Sequence, residues 1–175
     1  GPPMAAQEVG DLRTFRIPDL DGGNICEDYI QVGARAVYSG THGVIWEDTL
    51  APLAGSMDAT WDEMGAEYDD VMHQILLDYF GDPLAFDDRL DNNGLFFMLF
   101  SETVNSYDSI AVNGFVFSGD FYDRSLCPAS DRGEIFYGRV PTETGDDYTS
   151  GMVTDWRWRM RATRIHEVQH LTAHP

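Results

Sequence analysis

Apolar residues recur along this chain at two different spacings, and the switches between them limit the folds it can adopt. From Ile25 to Trp46 the pattern favours strands, with Tyr29-Ile30-Gln31-Val32, then Ala34 to Tyr38, then Gly43-Val44-Ile45-Trp46 after a break at Gly40. This stretch reads as a hairpin or meander. Between Asp58 and Phe80 the spacing lengthens to about 3.6, the α-helical period, with Trp61, Met64, Tyr68, Val71, Met72, Ile75, Leu76 and Tyr79 forming one stripe. Asp58 or Thr60 is the expected cap, and Gly81 followed by Pro83 the expected stop. Leu95 to Phe100 is continuously apolar, as in a strand buried on both faces, and is launched by the acidic turn Asp87 to Gly94. Gly114 to Asp120 and Glu134 to Val140 read as two further strands, and a last helix runs from about Thr149 to Ala173. The order strands, helix, strands, helix predicts an α+β domain: a mixed sheet of about four to six strands with two long helices. Residues 1–24, punctuated by Pro and Gly, read as a lead-in, and residues 25–175 as a single domain.

Charge narrows the partners. Thirty acidic residues face eleven basic ones, all arginine, for a formal net charge of −19. Such a surface repels nucleic-acid phosphates and anionic headgroups, and suits divalent cations or a basic partner. No apolar run approaches the roughly 18–20 residues of a membrane-spanning helix. The first residues, Gly1 to Gln7, lack the basic region and apolar core of a signal peptide, and are compatible with a cloning scar before Met4 or with a mature end left by processing. Cys26 and Cys127 have no metal-site spacing; a long-range disulfide and two free buried thiols both fit them.

The motif that carries chemistry is His166-Glu167-Val168-Gln169-His170, an HExxH pattern on the last helix. Residues four apart share a helix face, so both imidazoles reach one Zn²⁺ while Glu167 stands beside a water as general base. Zinc hydrolysis also needs a third protein ligand. His174 continues the four-residue spacing, but eight residues at 1.5 Å rise separate it from His166 by about 12 Å. It is a ligand only if the helix bends near Ala173, which Pro175 favours. His42, Tyr122 and Tyr137 are candidates by residue type for an oxyanion donor. His73, inside the first helix, reads as a surface or satisfied histidine.

Two acidic stretches raise calcium as a further cation. Asp19, Asp21 and Asn24 have a suggestive spacing, but Ile30 stands where a bidentate glutamate is required, so the stretch reads as a turn. The Asp87 to Gly94 turn reads as solvated, with a cation site as its alternative. Arg157, Arg159, Arg161 and Arg164, interleaved with Trp156 and Trp158, are expected to anchor the last helix by pairing with the acidic remainder of the fold.

On these residues the chain resembles bacterial extracellular gluzincins of the hyicolysin type, whose active helix carries a motif similar to His166 to Leu171. Met64 to Asp69, the Asp91-Asn92-Asn93-Gly94 turn into Leu95 to Phe100, and Gly114 to Asp120 resemble scaffold segments of that family, so the likeness spans roughly residues 30–174. The resemblance implies a zincin-like N-terminal lobe, His166 and His170 as zinc ligands, Glu167 as catalytic base, a peptide or protein substrate, and a secreted or periplasmic location. The family's third ligand, a glutamate on a following helix, has no counterpart in these 175 residues, which are expected to hold the catalytic half without its C-terminal lobe. The alternative is a non-catalytic extracytoplasmic structural or binding subunit with a degenerate zincin fold, held in a larger, membrane-associated assembly.

Overall fold

The computed structural model describes residues 7–107, 113–142 and 153–172. Six strands form one mixed sheet: β1 (Leu12–Pro18), β2 (Tyr29–Ser39), β3 (Gly43–Asp48), β4 (Phe96–Phe100), β5 (Gly114–Val116) and β6 (Ile135–Gly138), in the spatial order β1-β2-β3-β4-β6-β5. The β1–β2, β2–β3 and β5–β6 pairs are antiparallel, and β3–β4 and β4–β6 are parallel. The helical elements are α1 (Asp58–Glu67), a π-helical turn (Tyr68–Met72), α2 (His73–Tyr79), a short α3 (Glu102–Asn105) and α4 (Val153–Thr172). The α+β class and the strand number agree with expectation. Residues 12–18 do not: read as lead-in, they form an edge strand whose Phe15 and Ile17 are wholly buried.

Both faces of the sheet are covered, and the strands alternate between them as the period of two requires. Ile45, Phe96, Met98, Phe100 and Phe136 point into a core shared with α1, α2 and α4. Val44, Trp46, Phe97, Leu99, Ile135 and Tyr137 point into a second core closed by Val104, Tyr107, Phe117, Cys127 and Ala129. Strand β4 is buried at every position, which accounts for its unbroken apolar run. On β2 a bulge between Ala36 and Tyr38 breaks the alternation: Ala36 faces the second core, whereas Val37 and Tyr38 both pack on the helical side.

The expected 3.6-period stripe is modified by the π turn. Trp61, Met64, Tyr68, Met72 and Leu76 are buried, while Val71, Ile75 and Tyr79 of the same stripe are exposed. One wide turn rotates the following residues, so the buried set advances by fours through the junction. The turn also presents Asp69, whose carboxylate accepts from the Tyr38 hydroxyl at 2.5 Å and from the backbone N–H groups of Thr41 and His42 at 3.0 and 2.8 Å. The helix is thereby tied to the β2–β3 connection. Asp58 is not the cap; Met57 occupies that position without a side-chain bond, and Asp58 pairs with Arg35 at 3.3 Å. Gly81, at φ +106°, ends the helix as expected.

Helix α1 approaches β2 most closely at Gly65, where a Cβ atom would lie 2.2 Å from the Tyr38 ring. Because Asp69 holds that ring from the far end, Gly65→Ala is expected to destabilise: overpacking of about 1–3 kcal/mol outweighs a helix-propensity gain of up to about 1 kcal/mol. A urea titration checks the sign; a raised midpoint would show that the ring moves freely.

Candidate metal centre on the last helix

Helix α4 is attached along one face and open along another. Trp156, Met160, Arg164, Val168 and Leu171, spaced at three or four residues, are buried against the sheet. Trp61, Phe100 and Trp156 form a tight aromatic trio, with centroids 5.0–5.6 Å apart. The Trp156 indole N–H donates to the Arg139 carbonyl at 2.7 Å. Arg157 pairs with Glu63, Arg161 with Glu67 at 2.7 Å, and Arg164 with Glu67 at 3.5 Å, so these three arginines do anchor the helix to α1. Arg164 is wholly buried and also donates to the Met64 and Met160 carbonyls. Burial pulls its pKa down to about 10, against the opposing pull of Glu67. Trp158, by contrast, is exposed.

On the open face His166 and His170 are exposed, with Glu167 half-buried beside them. One ligand atom from each of the three lies within 4.8 Å of the others. The rings stand edge to face at 5.1 Å between centroids. The sequence spacing is therefore realised in space: His166 and His170 are offset from the buried face of α4 by about a quarter turn or more, and Glu167 lies at its edge. Among the described residues no further imidazole or carboxylate joins the three. His174 lies outside the described residues.

Two grooves meet at Glu167. One, of about 280 Å³, is lined by Val116, Ser118, Phe121, Glu167, His170 and Leu171. The other, of about 290 Å³, is lined by Asn113, Gly114, Ala162, Thr163, His166 and Glu167. Both run between α4 and β5, the terminal strand of the sheet, which pairs with β6 on one side. Glu134 to Val140 is thus an interior strand and not an edge. The predicted strand Gly114 to Asp120 is cut to three residues, because a 3₁₀ turn at Ser118–Phe121 folds the chain across the second core.

The oxyanion-donor candidates fare differently. None of His42, Tyr122 and Tyr137 lines either groove. Tyr137 is wholly buried in the second core, where its hydroxyl donates to Asp120 at 2.8 Å, and burial raises its pKa. His73 is not a surface histidine: it is buried, its ring stacks on His42 at 3.7 Å, and its Nδ1 has no partner among the described residues. Burial and His42 lower its pKa.

Elsewhere, the Asp19 to Asp28 stretch is the expected turn, its carboxylates accepting from the Asp21 and Asn24 backbone N–H groups. Cys26 and Cys127 form a disulfide, with Cα atoms 4.7 Å apart. The described residues contain no helix long and apolar enough to cross a membrane. No family model matches the chain, and no curated protein matches it.

Proposed function

We propose that this chain carries the catalytic helix of a secreted or periplasmic zinc peptidase with a zincin-like fold. The convergence of His166, His170 and Glu167 within 4.8 Å, at the meeting point of two grooves along a sheet edge, is the observation that carries the reading. Two imidazoles form a donor pair suited to Zn²⁺, with a third ligand required from outside the described residues, where His174 lies. Zinc bound there supplies a Lewis acid that polarises a scissile carbonyl and lowers the pKa of water toward about 7.

The chain's own residues do the rest. Glu167 takes the proton of the attacking water and delivers it to the leaving amine, the ordinary double duty of a general base in amide hydrolysis. The outer edge of β5 receives an extended peptide by backbone hydrogen bonding, with the two grooves holding side chains on either side of the scissile bond. The Cys26–Cys127 disulfide supports an oxidising, extracytoplasmic location.

Zinc analysis tests the metal. About one zinc per chain is expected, with affinity falling at least about tenfold in His170→Ala, since loss of a ligand costs no less than loss of its supporting partner. A chain that takes up no zinc, or equal zinc in the variant, would remove the centre. The lack of a third ligand among the described residues favours a second reading, a non-catalytic subunit of a larger assembly that keeps the peptidase scaffold. Zinc uptake without any peptide hydrolysis would support it.

A further inference from the structure

The acidic turn between α2 and β4 is solvated at Asp88, Arg89 and Gly94, whereas Asp87 and Asp91 are half-buried against β6. Asp87 opens a 3₁₀ turn and accepts through its two carboxylate oxygens from the backbone N–H groups of Asn93 and Gly94, each at 3.0 Å. Asp91 is brought back against it by this turn, with Asn92 in the left-handed region at φ +51°. Glu134, at the mouth of β6, completes the group: ligand oxygens of Asp87, Asp91 and Glu134 all lie within 4.8 Å of one another. Glu134 is only 1% exposed, and neither of its carboxylate oxygens has a hydrogen-bond partner among the described residues. Asp91 Oδ1 is likewise buried without one.

A wholly buried carboxylate with two empty oxygens, aimed at two more carboxylates, is costly unless a proton or a cation joins it. Burial, with Asp87 and Asp91 adding to it, pushes Glu134 up to about 8. Burial and Asp87 push Asp91 up to about 7, Arg13 opposing. Asp82 adds further negative potential. Asp87 and Asp91 are only half-buried, which leaves a way in from solvent.

We propose that Asp87, Asp91 and Glu134 form a second metal site, separate from the histidine pair, for a hard divalent cation of the calcium type. An all-carboxylate donor set matches Ca²⁺ or Mg²⁺ and not a metal that prefers nitrogen or sulfur. Its structural effect is to staple the turn before β4 to the start of β6. These two strands are already joined there by the Phe97 N–H to Glu134 carbonyl bond at 2.9 Å.

The test is calorimetric titration of the chelator-stripped 175-residue chain with Ca²⁺ and, separately, Mg²⁺, at moderate salt so that the −19 charge does not gather ions nonspecifically. A saturable site of one cation per chain is expected, with affinity at least about tenfold weaker in Glu134→Gln and in Asp91→Asn. His170→Ala and Glu167→Gln should leave that affinity unchanged, so the result is independent of the peptidase reading. Glu134→Gln removes an unpartnered charge and should fold; Asp91→Asn stands in if it does not. Absence of saturable binding for both cations, or equal affinity in wild type and both variants, overturns the proposal.

Discussion

Glu167→Gln is expected to lower peptide hydrolysis by about two to four orders of magnitude, the usual contribution of a positioned general base, while zinc stays bound. That corresponds to about 3–5 kcal/mol of transition-state stabilisation. The substitution keeps the shape of the side chain and removes only its ability to hold a proton. Glu167 itself is half-buried and the replacement is isosteric, so little packing changes: His166 and His170 beside it are exposed, and the helix is held by Trp156, Arg164 and Val168. The measurement is kcat/KM on an unstructured peptide, with zinc content determined on the same sample. Retained zinc with lost turnover assigns Glu167 to the chemistry. Retained turnover ends the peptidase reading, because no other carboxylate joins the histidine pair among the described residues.

Removing the disulfide is expected to cost about 4–5 kcal/mol, the loop-entropy value for closing about a hundred residues. Cys26 and Cys127 are 101 positions apart, so the bond restrains much of the unfolded chain. It also pins the loop before β2 to the segment that closes the second core, where the Ala129 N–H donates to the Cys26 carbonyl at 2.8 Å and Cys127 is buried beside Phe117. Against a typical total stability of about 5–15 kcal/mol, that loss leaves the reduced protein marginal. Urea midpoints of the oxidised, reduced and Cys26→Ala/Cys127→Ala proteins check this. Equal midpoints in all three would show that the bond adds nothing to folding. A double variant much weaker than the reduced protein would instead point to lost packing at Cys127.

Much of the architecture was legible because local pattern and tertiary packing agree. Strand β4 is apolar at each position and buried at each position. The HExxH residues share a helix face because α4 is a regular helix through that stretch. Elsewhere they diverge. Val71 and Ile75 fit a straight helix, yet the π turn carries them to the surface, a choice made by packing on β2 and the Asp69 bonds. Leu12 to Pro18 is short and carries two arginines, Arg13 and Arg16, and becomes a strand only because β2 is long enough to pair with it along its whole length.

What the amino-acid order determined by itself is the set of local features: where most of the strands and helices form, which residues share a helix face, and a surface charge that disfavours nucleic acid. These depend on side-chain period and Coulomb repulsion, which act over short stretches or on the whole. Only the tertiary structure decided that the two cysteines meet, that β5 and not β6 lies at the rim beside Glu167, and that Glu134 faces Asp87 and Asp91 across more than forty positions of sequence. Each of those is a contact between distant segments, set by strand order and by the need to bury both faces of one sheet.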